Sequence, residues 1–324
     1  MLRWGLLGTA LINRRLIPAM RAARRSTVAA VASRDRARAE AYAAEWQIPV
    51  AHAGYDTLVR DPAIDAIYIS LPNTLHVEWT LRALDAGKHV LCEKPLALTA
   101  EDVDRVAAVA RASGRVVAEA FMYRHEPLIA RVLELIAEDA IGPIRTIASG
   151  FSFARERAND IRMNATLGGG SLWDIGCYAV SAVRLVAGAE PIEAFGWAAP
   201  SPTGVDHSFT GLLKFRDDLV AAVHSDFGAA QRTWLEVSGV NGVLRVNDLF
   251  RPSPRHDIHL RREDGVRQVP VEGSPLLFVR QVEDLIAAAL DGRPPAVSLQ
   301  ESRGNAAALA ALYRSARDGR PVQL

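Results

Sequence analysis

The N-terminal stretch LRWGLLGTALINRRLIPAMRAARRSTVAAVAS, residues 2–33, places a turn and a helix between two apolar segments. Its first segment, Arg3–Leu7, predicts a strand that ends in a turn at Gly8, and residues 12–24 predict a helix. The valine-rich segment Val28–Ala32 predicts a second strand. Two apolar strands joined by a helix indicate a parallel pair, because the crossover helix returns the chain in the same direction.

The same alternation continues to about residue 120. Further strands and helices are predicted in the order Arg36–Trp46 (helix), Asp65–Leu71 (strand), Leu75–Ala86 (helix), His89–Cys92 (strand), Thr99–Ala112 (helix) and Val116–Ala120 (strand). Continuous apolar strands that alternate with helices are typical of a parallel sheet covered on both faces. We therefore predict that residues 1–122 form an α/β domain with such a sheet.

The pattern changes after Phe121. A helix is predicted at Glu126–Asp139, and two helices end the chain at Leu277–Leu290 and Gln300–Arg317. Between them, strands without intervening helices are predicted at Ile144–Phe153, Glu193–Ala198, Ser208–Phe215, Val220–Asp226, Thr233–Gly239, Gly242–Val246 and Ile258–Arg261. Such neighbouring strands indicate an antiparallel or mixed sheet, so we predict a second α/β domain over residues 123–324.

The composition narrows the classes of function. Lys and Arg number 38 against 37 Asp and Glu, a formal net charge of +1, whereas binders of nucleic acid or of membrane surfaces normally carry a basic excess. No apolar run reaches the roughly 18 residues of a membrane span, and the N-terminus lacks the long apolar stretch of a signal peptide. The two cysteines are too few for a disulfide framework. We expect a soluble cytoplasmic protein that binds neither nucleic acid nor membranes.

The turn after the first strand reads Gly8-Thr9-Ala10-Leu11-Ile12-Asn13. Of the dinucleotide fingerprint G-x-G-x-x-G/A it keeps only the first glycine, so a plain strand-to-helix turn is the alternative. Its position favours the binding site, because dinucleotides bind at the first such turn of a parallel sheet and Ala10 is small enough to let a pyrophosphate approach. We predict that Gly8, Thr9, Ala10, Leu11 and Ile12 bind a dinucleotide.

The end of the second predicted strand indicates which dinucleotide. NAD-binding sites usually carry an acidic residue there, whereas this chain has Ser33 followed by Arg34 and, four residues on, Arg38. The arginines can make charge-assisted hydrogen bonds to a 2′-phosphate, so we predict NADP in preference to NAD. Asp35 would reverse that preference if its side chain faced the ribose, and an exposed, arginine-rich start of a helix is the alternative interpretation.

Two further segments indicate chemistry. Glu93-Lys94-Pro95 directly follows a predicted strand, at the edge of a parallel sheet where ligands bind, and Lys94 is one of only three lysines. The segment 168–178, GGGSLWDIGCY, has three glycines that allow a close backbone approach. Asp174 and Tyr178 are four residues apart in it, which places them on one face of a helix. A strand exit and a core tyrosine are the structural alternatives.

Together these segments resemble the glucose-fructose oxidoreductase / inositol dehydrogenase / rhizopine-catabolism (Gfo/Idh/MocA) family over nearly the whole chain. The resemblance rests on the opening Gly-Leu-Leu-Gly-Thr-Ala turn, Leu71-Pro72-Asn73 with His76, Glu93-Lys94-Pro95, the segment 119–124 (EAFMYR) and the glycine-rich segment with Asp174 and Tyr178. It implies an N-terminal Rossmann domain with a doubly wound parallel sheet and a C-terminal α/β domain with a large open sheet. It also implies nicotinamide-dependent chemistry on sugars or polyols.

Many members of the family carry histidine where this chain has Tyr178. The tyrosine form is similar to the branch that contains glucose-fructose oxidoreductase, dimeric dihydrodiol dehydrogenase and bacterial aldose (xylose) dehydrogenases, which generally use NADP. The resemblance implies further cofactor-binding residues, namely Leu71, Pro72, Asn73, His76, Glu93, Lys94, Pro95 and Arg124. It implies that the substrate is bound by Lys94, Arg162, Trp173, Asp174 and Tyr178. For His76 an exposed position at a helix N-terminus is the alternative, and for Arg124 a salt bridge at the domain boundary.

The catalytic hypothesis follows from the chemistry of oxidising a sugar's C–OH group, which requires a base for the hydroxyl proton and an acceptor for the hydride. Tyr178 is the expected base, but an unperturbed tyrosine has a pKa of about 10 and is a poor base at neutral pH. Lys94 would favour the phenolate and hydrogen-bond the substrate oxygen. Asp174 would orient substrate hydroxyls or keep Lys94 charged, and Pro95, after a cis peptide bond, would shape the nicotinamide pocket.

Several alternatives remain open. The same residues serve the reverse reaction, an NADPH-dependent reductase of a keto-sugar or dicarbonyl, and they serve a dihydrodiol dehydrogenase; a non-catalytic NADP-binding sensor is the candidate outside enzymes. The resemblance implies a homodimer or homotetramer formed through the open sheet. His256, Asp257 and His259 resemble metal ligands, but we expect them in an exposed loop and predict no metal site.

Overall fold

The computed structural model describes residues 1–154, 160–251, 253–273, 276 and 278–324. These residues form two compact units. The first comprises Met1–Met122 and Leu276–Arg303, and the second comprises Tyr123–Pro275 and Gly304–Leu324.

The N-terminal part of the first unit alternates strands and helices. Its elements are β1 (Leu2–Leu7), α1 (Asn13–Ala22), β2 (Ser26–Ser33), α2 (Arg36–Trp46), β3 (Val50–Ala53), α3 (Tyr55–Val59), β4 (Ala66–Ile69), α4 (His76–Asp85), β5 (His89–Cys92), α5 (Ala100–Ser113) and β6 (Val117–Glu119). The strands form one parallel sheet in the order β3-β2-β1-β4-β5-β6, the order of a doubly wound fold. Every residue of β4 and β5 is buried, which is why their sequences are apolar except for His89 at the start of β5.

Five of these six strands are predicted from the sequence, and β3 is not. Val50–Ala53 is a four-residue edge strand whose side chains are exposed or half-buried, so it lacks the apolar pattern of the central strands. By contrast, α2 has the predicted bounds, because Asp35 caps it by accepting a hydrogen bond from the Arg38 N–H.

The second unit contains a nine-stranded sheet. Its elements, together with the last helices of the chain, are α6 (Pro127–Ala137), β7 (Ile144–Ser152), α7 (Cys177–Ala187), β8 (Glu193–Pro200), β9 (Asp206–Lys214), β10 (Val220–Asp226), β11 (Arg232–Gly239), β12 (Val243–Asn247), β13 (Arg255–Arg262), β14 (Gly265–Glu272), α8 (Val279–Asp291), α9 (Leu299–Asp318) and β15 (Val322–Gln323). The strand order is β14-β13-β12-β11-β7-β10-β9-β8-β15. Only β7 and β10 pair in parallel among these strands, so the sheet is mixed, as predicted.

One face of this sheet is covered by helices. Helix α7 packs on β7 and β10, and Leu312 of α9 lies against the positions of Gly196 and Gly211 in the neighbouring strands. Two strands are not predicted from the sequence: β14, an exposed edge strand, and β15, which has two residues. The prediction of an exposed loop is wrong for His256, which lies in β13 and is buried, because alternate residues of that strand face the core. Asp257 in the same strand is exposed.

The segment 276–303 packs with the first unit rather than the second. Helix α8 lies against α1, and Arg25 forms an ion pair with Asp291 at 2.6 Å. The predicted start of α8 at Leu277 lies outside the described residues, and the described helix begins at Val279. Among the described helices, none combines the length and the apolar character that a membrane span requires.

Candidate active site

The turn between β1 and α1 requires its glycine. Gly8 has a φ of +98°, and a Cβ there would lie 3.1 Å from Cδ2 of Leu71. Asn13, which stands at the third position of the fingerprint, is buried and donates from Nδ2 to the carbonyl oxygen of Gly8 at 2.9 Å. The asparagine therefore closes the turn from the helix side, which explains why the departure from glycine is tolerated.

The same turn presents backbone donors. Helix α1 starts at Asn13, and the N–H groups of Asn13, Arg14 and Arg15 donate back to residues 10–12. Within the described part of the chain, the backbone N–H groups of residues 9–12 have no protein acceptor. Unpaired N–H groups at the start of a helix bind anions, so this turn fits the pyrophosphate of a dinucleotide.

The residues predicted to select the dinucleotide lie beside this turn. Ser33 ends β2 and is buried, and Arg34 is exposed. Arg38 donates from Nε to Oγ1 of Thr9 at 2.7 Å, so the structure brings these two predicted ligands together. The Asp35 side chain is engaged as the cap of α2. The negative group that could have favoured NAD therefore already has a structural partner.

Glu93-Lys94-Pro95 follows β5, and the residues on either side of Lys94 are held from both neighbouring strands. Tyr68 of β4 donates to the Glu93 carboxylate, and the Leu96 N–H donates to Oε1 of Glu119, the last residue of β6, at 2.9 Å. The Lys94–Pro95 peptide bond is cis, as expected. Lys94 therefore projects from a segment whose flanking residues are fixed.

His76 begins α4, just after the exit of β4. It is buried, so the alternative of an exposed helix N-terminus is wrong. Its two ring nitrogens lie 2.8 Å from the carbonyl oxygens of Pro95 and Leu71. Burial lowers the pKa of His76 below its ordinary value. Leu71, Pro72 and Asn73 form the exit of β4 beside it.

The glycine-rich segment of the second unit makes close contacts with its own chain. A Cβ at Gly169 would overlap the backbone of Arg162, and one at Gly170, which has a φ of +125°, would overlap the carboxylate of Asp206. The N–H of Gly170 also donates to the carbonyl oxygen of Arg162 at 2.8 Å. The glycines thus bring the loop that carries Arg162 against the segment that carries Asp174.

Arg162 and Asp174 form an ion pair. Nε of Arg162 lies 2.6 Å from Oδ2 of Asp174, and its NH1 lies 3.2 Å from Oδ1 of Asp160. The two carboxylates, Asp174 above all, raise the pKa of the Arg162 guanidinium. Both residues are predicted from the sequence as substrate ligands, but their pairing with each other is not.

Asp174 and Tyr178 lie on a helix with an irregular start. Residues Leu172–Gly176 form a π-helical turn, and α7 continues from Cys177. Such turns are rare and are often found at functional sites. The Tyr178 side chain is buried in a cluster of aromatic rings, with ring centroids 6.1, 5.7 and 5.3 Å from those of Tyr123, Phe151 and Phe250.

The remaining predicted ligands of the second unit lie on its helices. Trp173 is half-buried, and its ring packs on that of Tyr313 with centroids 5.1 Å apart. Arg124 is half-buried in a 3₁₀ turn, Met122–His125.

Models of known families match both halves of the chain. The model described as "Oxidoreductase family, NAD-binding Rossmann fold" matches residues 2–121, and the GFO/IDH/MocA C-terminal domain matches residues 129–245. The chain belongs to the Gfo/Idh/MocA family. It is therefore an oxidoreductase, and the predicted family and fold class are confirmed.

Relatives of the chain include a sugar dehydrogenase and a reductase of a dTDP-sugar. The chain is 38% identical to D-xylose 1-dehydrogenase (NADP(+)) 2 of Haloferax volcanii, with 99% of each chain covered. The 3-ketoreductase KijD10 of Actinomadura kijaniata, crystallised with NADP and TDP-benzene, superposes with a TM-score of 0.92 at 32% identity over 97% of each chain. The aldose-aldose oxidoreductase of Caulobacter crescentus superposes with a TM-score of 0.90 at 28% identity, over 100% of this chain and 99% of the other. The NADP of two of these proteins agrees with the cofactor predicted from Ser33 and Arg34.

Asp206 is a residue of this Gfo/Idh/MocA chain that sequence reasoning misses. It is buried at the start of β9 and accepts hydrogen bonds from Ser171 Oγ, the Leu172 N–H and the Tyr313 hydroxyl. Burial raises the pKa of its carboxyl group above the ordinary value. Asp206 fixes the start of the π-helical turn that carries Asp174. No local motif marks it, because its three donors come from distant parts of the sequence.

Proposed function

We propose that this chain is an NADP-dependent oxidoreductase that transfers a hydride between the nicotinamide and a carbon of a sugar or polyol, in the manner of an aldose 1-dehydrogenase. One observation carries the proposal. Neighbouring strands β1, β4 and β5 end at one edge of the sheet and place there the Gly8 turn, Asn73 and Lys94. The order of the strands reverses between β1 and β4, and ligands of open α/β sheets bind at such a point.

The residues at this edge fit NADP. The free N–H groups of residues 9–12 suit the pyrophosphate, and Arg34 and Arg38 suit the 2′-phosphate at the exit of β2, where Ser33 adds no negative charge. Leu71, Pro72, Asn73 and the segment Glu93-Lys94-Pro95 are then left to line the nicotinamide. When bound, NADP accepts or supplies the hydride at its nicotinamide ring.

We infer that Tyr178 exchanges the proton of the reacting hydroxyl group and that Lys94 assists it. In the oxidising direction, the phenolate of Tyr178 would take the hydroxyl proton, the nicotinamide of bound NADP would accept the hydride from the same carbon, and an aldose would become a lactone. The ammonium group of Lys94 stabilises the phenolate and the negative charge that develops on the substrate oxygen.

Arg162 and Asp174 are assigned to the sugar's other hydroxyl groups. Because Arg162 already neutralises Asp174, we favour orientation of substrate hydroxyls over maintenance of the charge of Lys94 as the role of the carboxylate. A guanidinium beside a carboxylate offers a donor and an acceptor side by side, which suits two adjacent hydroxyl groups. Trp173 and Arg124 remain proposed ligands of the substrate and the cofactor, respectively.

The second candidate function is reduction of a keto-sugar. The similarity to a 3-ketoreductase over nearly the whole chain favours it, and the same residues serve with the proton and hydride moving the other way. A dihydrodiol dehydrogenase remains a further alternative of the same chemistry.

The activity is tested by following nicotinamide absorbance. Aldoses including D-xylose, inositols, keto-sugars and dihydrodiols are supplied with NADP, NADPH, NAD or NADH. We expect an aldose to reduce NADP with a kcat/KM at least about tenfold above that with NAD, because a lost charge-assisted contact to the 2′-phosphate costs about 1.5–3 kcal/mol. Binding of NADP without turnover of any substrate would contradict the proposal and favour the sensor.

We also propose that the chain forms a homodimer through the open face of its nine-stranded sheet. The face opposite α7 carries a row of paired residues that runs across five strands: Trp197, Thr210, His224, Gly150 and Trp234. Trp197 is 57% exposed, and Leu212, one row away, is 40% exposed. Apolar side chains grouped on one sheet face are typical of an interface between proteins.

Analytical ultracentrifugation at micromolar concentration tests this interface. The wild-type chain is expected to sediment as a dimer or tetramer. Trp197→Glu is expected to weaken association at least about 100-fold, because a buried, unpaired charge costs several kcal/mol. Val240→Glu, at an equally exposed apolar residue between β11 and β12, is the matched control and should leave association intact. A monomeric wild-type chain would disprove the proposed interface.

A further inference from the structure

His76 bridges the backbone of two neighbouring strand exits. It begins α4, and 1% of its surface is exposed. Nδ1 lies 2.8 Å from the carbonyl oxygen of Pro95, which follows β5, and Nε2 lies 2.8 Å from that of Leu71, which follows β4. A single imidazole ring therefore spans the gap between the two segments assigned above to the nicotinamide end of the nucleotide.

Hydrogen bonding to the carbonyl oxygens of Pro95 and Leu71 fixes the position of the imidazole ring. A carbonyl oxygen accepts hydrogen bonds and cannot donate, so only an N–H of the ring can bond to either segment. Burial lowers the pKa of His76 and favours the neutral ring, which carries one N–H. The neutral ring donates to only one of the two carbonyl oxygens, and hydrogen bonds to both at once require the protonated ring with its two N–H groups. Removing the ring would leave a buried carbonyl oxygen without its donor and would open space between the two exits.

We propose that His76 is a positioning residue for Lys94. It sets the distance of the Pro95 carbonyl group from the exit of β4, and with it the backbone from which the Lys94 side chain projects. Other contacts hold the same segment, since Tyr68 bonds to Glu93 and Glu119 accepts from the Leu96 N–H. His76 adds a link between the lysine's segment and Leu71. The inference rests on the proposed function only where it takes Lys94 to be catalytic.

A double-mutant cycle tests the link to Lys94. His76→Leu is expected to lower kcat about 10- to 100-fold with little change in the KM for the sugar, because a displacement of about 1 Å in a catalytic group has effects of this size. In the Lys94→Ala background the same substitution is expected to lower kcat less than about twofold, since there is no lysine left to position. Equal losses in both backgrounds would overturn the proposal and leave His76 a structural residue only.

A conservative variant guards against a folding defect. His76→Gln keeps a side-chain N–H donor that can reach one carbonyl oxygen, so it is expected to recover part of the activity that His76→Leu loses. The matched control is His89→Gln, at a buried histidine of β5 whose Nδ1 accepts from the Val116 N–H. It is expected to lower thermal stability while its folded fraction keeps a kcat near that of the wild type. A loss of kcat as large as that of His76→Gln would contradict a specific role for His76.

A measurement that does not depend on catalysis separates this inference from the proposed function. In ¹⁵N-labelled protein without nucleotide, the ring N–H of His76 is expected to exchange slowly with solvent in both the wild type and Lys94→Ala. Rapid exchange in the wild type would overturn the bridge itself. If Lys94→Ala instead kept the wild-type kcat, the catalytic assignment of Lys94 would fail, and with it the positioning role, while slow exchange would still support the bridge.

Discussion

Replacing Tyr178 with phenylalanine is expected to lower kcat for sugar oxidation about 100- to 10,000-fold, the usual range for loss of a positioned proton-transfer group. The substitution removes one oxygen atom from a ring that is surrounded by other aromatic rings, so the packing of the ring is retained. Lys94→Ala is expected to lower kcat to a similar extent. Steady-state kinetics at saturating NADP and sugar measures both effects.

Tyr123→Phe is the matched control for this experiment. Tyr123 is a buried tyrosine whose ring lies 6.1 Å from that of Tyr178, and its hydroxyl group bonds to Ser181 at 2.7 Å. Its substitution is expected to cost about 1 kcal/mol of the free energy of unfolding and to leave kcat within about twofold of the wild type. Should Tyr178→Phe and Lys94→Ala both keep near wild-type kcat, the catalytic assignment is wrong.

The second large effect is expected on cofactor preference. Ser33→Glu introduces a carboxylate at the exit of β2, where it would repel a 2′-phosphate and accept hydrogen bonds from the ribose hydroxyls of NAD. The ratio of kcat/KM for NADP to that for NAD is expected to fall at least about 100-fold, since like charges in contact cost several kcal/mol. Arg34→Ala is expected to lower the same ratio by a smaller factor, about tenfold.

Arg36→Ala is the control for the cofactor experiment. Arg36 is the first residue of α2, is exposed and lies 3.6 Å from Glu40. Its loss should therefore leave the ratio of kcat/KM for NADP to that for NAD unchanged. An unchanged ratio in Ser33→Glu would show that the exit of β2 does not contact the 2′-phosphate. Two contacts in the structure agree with a preference for NADP. The Asp35 carboxylate is occupied as the cap of α2, and Arg38 lies against Thr9 of the Gly8 turn.

Much of the first unit could be predicted from local sequence because its elements are marked by local chemistry. Thr99 caps α5 by accepting from the Asp102 N–H, and the fully buried strands β4 and β5 are apolar apart from His89. The scarcity of lysine drew attention to Lys88 as well as to Lys94. Lys88 is buried and donates to the carbonyl oxygens of Asp61 and Ile64, both at 2.7 Å, and burial lowers the pKa of its ammonium group. Lys88 stabilises the fold. The scarcity of lysine therefore indicates that a lysine has a specific position, but not whether its role is structural or catalytic.

The sequence by itself determined the family, the two kinds of sheet and the segments that carry the chemistry. Glycines, charged residues and apolar runs reveal these features because their effect on the backbone and on burial is local. Only the tertiary structure decided which of those residues act on each other. Arg162 neutralises Asp174, His76 spans Leu71 and Pro95, and Asp206 fixes the turn before α7. These contacts join residues that are distant in the sequence, or use backbone oxygens that every residue has, so no local pattern encodes them.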